Sequence, residues 1–563
     1  MKPARAVWPS PAEPLAPAAD ERPVAVARAA GRDRAVAWWG AGLLLAAVCA
    51  VLLLAGQFNP YLGDYGDDAE FLVLGQGLAT GQGYAWVNTP ERPAHNRYPP
   101  GYPVWLAAAL TLTGTAAVPA SAITPAKLAT AVTVLGAALL LWPVARRRLD
   151  APWAAGAVAL FLLNPFALRF AGEVMSDVPY VLVLLGTLAW ADRLNPAGAR
   201  RPASGASVWG WVGLGALLAL GAYVRSIGLA AAGGALAWAW WQGWRRREWR
   251  PAAAATAAFV LLMLPWTLRD AGLAGGWRYL QELFAAQYLA PTEGTVSSAD
   301  LLARAAGNVA FLVGKPGVFG LAGTVAGLAA GAVVVWGYLR TLRRVDGAAE
   351  WVAVALVVAV LFWPIKTGRY LLPVIPLLGV YAVAGALAVA AGLPRLPRLP
   401  RLPRAGRGLI AAGLVLFVAL EGAYAGREAL ANQRALRTAP GAAGYYAARP
   451  QWARYLEAAA WLGDNAGPED MALGRRHFAL YVYSGHYADK YRFDTTADEL
   501  DYLFSGSMRK YVVEDAFPEL RGDFGPLPAA VRARGGELIL RYETAAPAVR
   551  VWELVRRAGP PAP

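Results

Sequence analysis

The chain has 563 residues, of which 57% are hydrophobic and only 16% are charged, and its mean hydropathy is +0.37. These values exclude an ordinary soluble protein, and the repeated apolar runs of about 20 residues match the ~30 Å hydrocarbon core of a bilayer. The formal net charge of +15 raises the alternative of a nucleic-acid-binding protein. Because the basic residues lie in short clusters between apolar runs, no nucleic-acid partner is predicted. The composition predicts a polytopic membrane protein with membrane lipids as its surroundings, and its Ala, Arg and Pro content favours a bacterial plasma membrane.

Cysteine and histidine usage argues against two kinds of site. Cys49 is the only cysteine, so an intramolecular disulfide and a cysteine metal cluster are both excluded. The three histidines, His95, His477 and His486, are far apart in the sequence, so no zinc site is predicted. No cofactor is expected, and no pattern indicates a divalent metal on the carboxylates.

The N-terminal region sets the orientation of the chain. Residues 1–34 are rich in proline and alanine and predict a disordered cytoplasmic tail. The apolar run 35–56 is too long for a signal peptide and lacks a convincing cleavage site, so it is predicted to be the first span. Three arginines precede it and place the N-terminus in the cytoplasm. The loop at 57–123 is then extracytoplasmic.

Val104–Leu112, within this loop, is apolar but short, and its interpretation decides the orientation of every later span. If it were a span, the later basic clusters would all lie outside. If it is an interfacial helix, five arginine-rich clusters lie inside, as the positive-inside rule requires. We therefore predict eleven spans, with the N-terminus inside and the C-terminus outside. The predicted spans are 35–56, 124–145, 152–168, 174–191, 208–223, 227–244, 251–268, 317–339, 350–365, 371–391 and 408–428.

The last third of the chain contains a linker and a second domain. Residues 393–407 repeat Leu-Pro-Arg, which forbids helix and predicts an extended basic cytoplasmic arm. After the membrane domain (35–428), residues 429–563 turn polar and predict an extracytoplasmic α/β domain. Its predicted elements are a helix at Trp452–Leu462 and strands at Tyr511–Val513, Leu538–Tyr542 and Val549–Leu554. Its histidines and the aromatic run at 481–487 either line an acceptor surface or pack in its core.

Several cations lie near the predicted outer ends of spans, where the charge rule alone would not place them. They are Arg169, Arg225, Arg269, Lys366 and Arg369. A charge within an apolar stretch is costly unless it faces a cavity or a partner. Arginine presents a planar fork to phosphate oxygens, so these residues are candidates for binding an anionic headgroup. The alternative is that they extend to the lipid interface.

Carboxylates are predicted at the same level of the membrane. Asp67 and Asp68 begin the first outer loop, and Glu173 and Asp177 are four residues apart on one helix face. Acidic groups near arginines can act as a general base and orient a hydroxyl or amine. They can equally pair with those arginines and hold the loops together, and the spacing leaves both interpretations open.

Six short motifs, which include most of these charged residues, follow one another between residues 35 and 391. They are Asp67-Asp68 with Leu78…Gly81-Gln-Gly83-Tyr84; Tyr98-Pro-Pro-Gly-Tyr102-Pro103; Asn164-Pro165…Glu173-Val-Met-Ser-Asp177; Gly221-Ala-Tyr-Val-Arg225; Pro265-Trp-Thr-Leu-Arg269; and Gly368-Arg369-Tyr370-Leu-Leu-Pro373-Val-Ile-Pro376. The ordered set resembles the GT-C glycosyltransferases, in particular the protein O-mannosyltransferases and the lipid A aminoarabinose transferases.

The resemblance implies an enzyme that takes a sugar from a polyprenyl-phosphate carrier on the outer face, with inversion. It places the proposed base on Asp67, a second acid on Asp68 and a later acid on Asp177. It also implies that Arg369 and Tyr370 hold the carrier phosphate. The expected substrate-binding set is Glu173, Arg225, Arg269, Lys366, Arg369, Tyr370, Tyr98, Tyr102 and His95.

The chain departs from the aminoarabinose branch at one motif. Tyr98 stands before the Pro-Pro pair where that branch has a lysine, so an aminoarabinose substrate is not implied. The phosphate charge then falls to Arg225, Lys366 or Arg369, and the acceptor is a lipid, a glycan or a protein. Two other classes of function share these features: a transporter or flippase of lipid-linked substrates, and a non-catalytic membrane assembly factor. The clustering of charge at one face, without an internal repeat, favours the enzyme over the transporter.

Overall fold

The protein is described by a computed structural model. It covers residues 42, 44–63, 65–195, 207–273, 278–286, 294–314, 324–392, 402–493, 495–518, 520 and 522–556. The predicted tail at 1–34 and most of the basic linker at 393–407 lie outside these residues.

Helices account for nearly all of the described chain up to residue 438. After a π-helical turn at Leu53–Gln57, they are α1 Asp67–Ala79, α2 Gly101–Thr113, α3 Ile123–Arg146, α4 Ala151–Leu162, α5 Pro165–Ala171, α6 Asp177–Leu194, α7 Val208–Val224, α8 Gly228–Arg246, α9 Arg250–Ala271, α10 Arg278–Phe284, α11 Ser298–Gly314, α12 Thr324–Val345, α13 Ala348–Phe362, α14 Ile375–Gly392 and α15 Leu402–Thr438. Single 3₁₀ turns lie at Ala120–Ala122 and Gly368–Leu371.

Most of these helices overlap the predicted spans. Among the described residues, three stretches are long and apolar enough to cross a membrane, at Ala120–Arg146, Arg250–Ala271 and Gly408–Thr438. A fourth is α4 with α5 if the pair is one broken span. Shorter apolar helices lie at Val208–Val224, Ala348–Phe362 and Ile375–Ala391. The helical, apolar character is confirmed, while the count of eleven spans remains a prediction.

The predicted span at 152–168 coincides with two helices, α4 and α5, and remains a prediction. The chain bends by 54° between α4 and α5. Asn164 accounts for the bend, because its side chain accepts hydrogen bonds from the amides of Phe166 and Ala167 and so starts a new helix. Pro165 follows at the first helical position, where its missing N–H costs least.

Helices α10 and α11 were not predicted from the sequence. Polar side chains of α11 attach them to the rest of the fold. Arg304 donates to the carbonyl oxygens of Leu283 and Ala285 at the end of α10. Asn308 donates to the carbonyl oxygens of Leu361 and Trp363 at the end of α13. These bonds pair exposed helix-end carbonyls and hold α10 and α11 beside the end of α13.

The C-terminal domain contains a five-stranded sheet with the strand order β2-β1-β3-β5-β4. Strand β1 pairs in parallel with β2 and β3, and β5 pairs antiparallel with β3 and β4. The elements are α16 Ala442–Tyr445, α17 Pro450–Asn465, β1 Met471–Gly474, α18 His477–Ser484, β2 Tyr487–Lys490, α19 Ala497–Phe504, β3 Lys510–Glu514, α20 Leu527–Ala533, β4 Gly536–Glu543 and β5 Arg550–Arg556.

Side chains on the two faces of this sheet pack into two separate cores. Trp452, Leu480 and Tyr511 belong to the core on the side of α17 and α18. Val512 and Leu503 belong to the core on the side of α19 and α20. Successive residues of β3 enter opposite cores because strand side chains alternate between faces. The predicted α/β composition of this region is confirmed, and its four-residue strands β1 and β2 were missed.

Candidate active site

Two carboxylates stand at the first positions of two helices. Asp67 begins α1 and Asp177 begins α6. The first turn of a helix carries unpaired N–H groups and the positive end of the helix dipole, which stabilise a negative charge there. Both carboxylates therefore lie where the end of a helix offers unpaired N–H groups.

Arg369 joins these two carboxylates. Its Nη1 lies 3.2 Å from Oδ2 of Asp67, and its Nε lies 3.1 Å from Oδ2 of Asp177. It belongs to the 3₁₀ turn Gly368–Leu371, which the side chain of Thr367 caps by accepting from the Arg369 amide. A single guanidinium thus links the first residues of two helices that are far apart in sequence.

A second guanidinium, that of Arg225, also binds Asp177. Its Nη1 lies 2.8 Å from Oδ2 of Asp177 and 3.0 Å from Oγ of Ser176. Arg225 has an extended backbone at the break between α7 and α8, and from there its side chain reaches α6. The Oδ1 atom of Asp177 is buried and has no hydrogen-bond partner among the described residues. Arg225 and Arg369 therefore both donate to the same oxygen, Oδ2 of Asp177.

Tyr98 completes the surroundings of Asp67, because its hydroxyl donates to Oδ1 of Asp67 at 2.8 Å. The start of α2 is held close to the α7–α8 hairpin, since a Cβ at Gly101 would lie only 2.7 Å from the backbone of Tyr223. Only glycine permits this approach. The proline-rich turn before α2 is thereby placed beside Arg225.

These contacts set the ionisation of Asp67. Burial disfavours the charged carboxylate, but the positive charges of Arg369 and Arg97 and the hydrogen bonds from Tyr98 and Arg369 outweigh it. The pKa of Asp67 is therefore held below its usual value. Burial and the charges of Asp177 and Asp67 act in opposite directions on Arg369, and its pKa is raised. The site holds a carboxylate and a guanidinium, both ionised.

A cavity of about 480 Å³ opens at this cluster. Its polar lining consists of Asp67, Tyr98, Ser176, Arg225, Ser226, Arg369 and Tyr370. The rest of the lining is mainly apolar and comes from α8, α10, α11 and α13, including Leu229, Phe284, Leu301, Val360 and Phe362. The cavity therefore combines a hydrogen-bonded ionic patch with a long apolar wall. Such a site fits a ligand with a charged head and a hydrocarbon chain.

Tyr370 lies between the ionic and apolar parts of this cavity. Its ring centroid is 5.9 Å from the guanidinium carbon of Arg225 and 5.9 Å from the ring of Trp363. Burial raises the pKa of Tyr370, so the hydroxyl stays protonated at neutral pH and can donate a hydrogen bond.

The other residues predicted for the site lie outside the cavity lining. Asp68 accepts from the amides of Gly63 and Ala69, and Glu173 pairs with the buried Lys127 at 2.9 Å. The hydroxyl of Tyr102 is bonded to Thr130 within the helix packing. These three are buried and engaged in holding the loop and the helices.

Three further predicted residues are also placed away from the cavity. The ring of His95 is buried and its Nε2 accepts from the amide of Tyr98. Arg269 donates to the carbonyl oxygen of His95 and lies over the ring of Trp266, so it holds the first loop. Lys366 is exposed, with its Nζ beside Gly307 of α11.

Sequence reasoning missed several lining residues. Ser176 precedes Asp177 in a quoted motif, and its pairing with Arg225 was not foreseen. The apolar wall from α10 and α11 was missed with those helices. No group of three or more His, Cys, Asp or Glu side chains among the described residues is arranged to hold a metal ion.

No protein-family model matches the chain, and no curated protein matches its sequence. Solved structures do match. ArnT from Cupriavidus metallidurans bound to undecaprenyl phosphate is 16% identical, with 91% of this chain and 98% of that chain covered and a TM-score of 0.60. The same protein in the apo state gives 17% identity, 92% and 98% coverage, and a TM-score of 0.57.

Archaeal structures match as well. AglB, the oligosaccharyltransferase from Archaeoglobus fulgidus, in complex with an inhibitory peptide and a dolichol-phosphate, is 13% identical, with 91% of this chain and 74% of that chain covered and a TM-score of 0.53. ArnT and AglB are both GT-C superfamily members. The protein shares its fold with these structures. The predicted fold class is confirmed at this level, and the roles of the individual residues remain predictions.

Proposed function

We propose that the protein is a membrane glycosyltransferase that moves a sugar from a polyprenyl-phosphate donor to an extracytoplasmic acceptor. One observation carries the proposal: Arg225 and Arg369 line the same cavity as Asp67, and the rest of its wall is mainly apolar. A polyprenyl phosphate needs cations for its headgroup and an apolar groove for its chain. The fold shared with an ArnT structure bound to undecaprenyl phosphate supports the same assignment.

The two arginines hold the carrier phosphate. A guanidinium has five N–H groups, more than the contacts of Arg225 or Arg369 to Asp177, Ser176 and Asp67 use. The remaining N–H groups can bind phosphate oxygens, and the pair can stabilise the negative charge that grows on the departing phosphate. Asp177 holds both guanidiniums in place.

Asp67 receives the acceptor proton. The oxygen of an acceptor hydroxyl, or the nitrogen of an amine, attacks the anomeric carbon, and the bond from that carbon to the phosphate oxygen breaks. The bonding electrons leave with the phosphate, and the acceptor proton passes to Asp67. Because attack and departure are in line, the configuration inverts. Tyr98 fixes the carboxylate through its hydrogen bond to Oδ1.

The topology belongs to the proposal as well. Eleven spans with a cytoplasmic N-terminus put α1, Arg225 and Arg369 at the extracytoplasmic side of a plasma membrane, with the membrane domain at 35–428. Residues 429–563 then form an extracytoplasmic domain. The basic clusters in the sequence support this orientation.

The test uses the purified full-length protein in detergent with a panel of short-chain polyprenyl-phosphate sugars and a cell-envelope extract as acceptor. Release of free polyprenyl phosphate is followed for the wild type, for Asp67→Asn and for Asp464→Asn, which changes an exposed carboxylate of α17. Removing a general base lowers kcat by about 10²- to 10⁴-fold. We expect this loss for Asp67→Asn and none for Asp464→Asn.

Each alternative result has a clear meaning. Release that is unchanged in Asp67→Asn would keep the transferase and move its base to another residue. The absence of release from every donor would contradict the enzyme and favour the transporter or the assembly factor. The donor that gives release identifies the sugar.

A further inference from the structure

The C-terminal domain contacts the loop that carries Asp67. The hydroxyl of Tyr483, on α18, accepts from the Leu62 amide at 2.5 Å and donates to the Leu62 carbonyl oxygen at 3.1 Å. Leu62 is 1% exposed, so water is excluded from both of its backbone groups. One phenol therefore satisfies the donor and the acceptor of a single buried residue.

Leu62 lies at the start of the turn that leads into α1. The Gly63 amide donates to Asp68, and the Gly66 amide donates to the Gly63 carbonyl oxygen. The Glu70 amide then donates to the Gly66 carbonyl oxygen. Tyr483 thus binds the residue next to Gly63, and hydrogen bonds join Gly63 and Gly66 to the first turn of α1, where Asp67 lies.

The C-terminal domain also packs directly against this turn. Gly66 has a φ of +78°, and a Cβ there would lie 2.8 Å from Nη1 of Arg476, the residue before α18. The position favours glycine because of its backbone conformation. The residue immediately before Asp67 therefore lies beside a side chain of the C-terminal domain.

A second contact lies further along the loop. The Ala488 amide of edge strand β2 donates to the Asn88 carbonyl oxygen at 2.8 Å, and Nδ2 of Asn88 donates to the Ala488 carbonyl oxygen at 2.7 Å. The ring of Trp86 lies 5.9 Å from that of Phe478. The loop thus covers the free edge of the sheet and contacts the C-terminal domain on both sides of α1.

We propose that Tyr483 is a positioning residue: the C-terminal domain holds Leu62 through it and so sets Asp67 against Arg369. The inference rests on the proposed function and gives the domain a part in transfer that needs no acceptor contact. Burial raises the pKa of Tyr483, so its hydroxyl keeps the proton that it donates to Leu62. A phenylalanine has the same ring and lacks both bonds.

The test compares Tyr483→Phe with Tyr481→Phe, which removes a hydroxyl from the same helix and the same packed core. Hydrogen exchange in the full-length protein is expected to quicken over residues 62–70 in Tyr483→Phe alone. Displacing a catalytic group by about 1 Å costs up to about 100-fold in rate. We therefore expect kcat to fall by about 10- to 100-fold, while the affinity for a short-chain polyprenyl phosphate changes by less than about twofold.

The pH profile separates positioning from general damage to the fold. As the Asp67 carboxylate moves away from Arg369, its pKa rises, so the acid limb of kcat/KM is expected to move to higher pH in Tyr483→Phe. A purely structural loss would lower the amount of active protein and leave the limb where it is. Asn88→Ala, which breaks the other contact, is expected to quicken exchange near residue 88 without moving the limb.

Two results would overturn the inference. One is unchanged exchange over residues 62–70 in Tyr483→Phe. The other is an equal loss of kcat in Tyr481→Phe or Asn88→Ala. If the wild type releases no polyprenyl phosphate from any donor, the proposed function fails, and the claim that Tyr483 positions Asp67 for transfer fails with it. The exchange data still decide whether Tyr483 holds the turn.

Discussion

Helix α6 carries an ionic network at each end, and the two differ in one respect. Asp177, at its start, binds Arg225 and Arg369, and Asp192, near its end, binds Arg148. Fifteen residues at about 1.5 Å per residue place the two carboxylates roughly 22 Å apart along the helix. Both networks join helices that are distant in sequence, and both use arginine with carboxylate.

The network at the end of α6 is closed. Arg148 donates from Nε and Nη2 to the two oxygens of Glu350 at 2.7 and 3.0 Å, and from Nη1 to Asp192 at 3.0 Å. The Arg148 and Glu350 side chains are both 0% exposed. The guanidinium of Arg148 and the carboxylate of Glu350 satisfy each other, so this pair stabilises the helix packing, and neither residue lines the cavity beside Asp67. Oδ1 of Asp192 makes no hydrogen bond among the described residues and lies 3.4 Å from Nε of Arg147.

The network at the start of α6 is open. Two guanidiniums share one oxygen of Asp177, and Asp67 remains 29% exposed beside a cavity. Because the two guanidiniums have more N–H groups than these carboxylate oxygens accept, they can bind an anion while they stay paired with Asp177. Buried ion pairs therefore occur both in the helix packing and at the cavity, and Arg225 and Arg369 are the arginines that line the cavity.

The substitution expected to lower the free energy of unfolding most is one that breaks the closed network. In Glu350→Gln the buried Arg148 loses its bidentate partner, and breaking a buried pair costs about 3–5 kcal/mol. We expect the free energy of unfolding to fall by about this amount, measured by denaturation in detergent. Asp501→Asn, in the exposed pair with Arg534, is the control and should cost at most about 0.5 kcal/mol. Equal effects in the two variants would contradict the account of the closed network.

A substitution in the open network is expected to lower activity more than stability. Arg369→Lys keeps the charge but cannot bridge Asp67 and Asp177 as a planar fork does. We expect kcat/KM to fall by about 10- to 100-fold, the equivalent of about 1.4–2.8 kcal/mol, with little change in unfolding. Transfer kinetics and a melting curve on the same sample separate the two effects. A loss of stability as large as that of Glu350→Gln would show that this network, too, is chiefly structural.

The smallest expected effect is a change of pH dependence in Tyr98→Phe. The Tyr98 hydroxyl favours the charged form of Asp67, so its loss raises the pKa of that carboxylate. A base that must be ionised loses activity as the pH falls through its pKa. The acid limb of kcat/KM is therefore expected to move to higher pH, while the alkaline limb stays. A limb that moves to lower pH, or does not move, would exclude Asp67 as the titrating base.

Sequence reasoning reached much of this arrangement. Long apolar runs marked the helices, and the charges that break the positive-inside rule included Arg225 and Arg369. It favoured these two over Arg269 but kept Lys366 as a third candidate for the phosphate, because pairing depends on contacts such as that of Gly101 with the α7–α8 hairpin. Helices α10 and α11 were missed because their apolar residues form no 20-residue run.

The measurement that tests the central claim most directly is equilibrium binding of a short-chain polyprenyl phosphate to the full-length protein. The claim is that Arg225 and Arg369 hold the phosphate and Lys366 does not. A hydrogen bond to a charged group contributes about 1.5–3 kcal/mol, so Arg225→Gln and Arg369→Gln should each weaken binding by about 10- to 150-fold. Lys366→Gln should leave the affinity within about twofold. Unchanged affinity in both arginine variants, or a large loss in Lys366→Gln alone, would contradict the account.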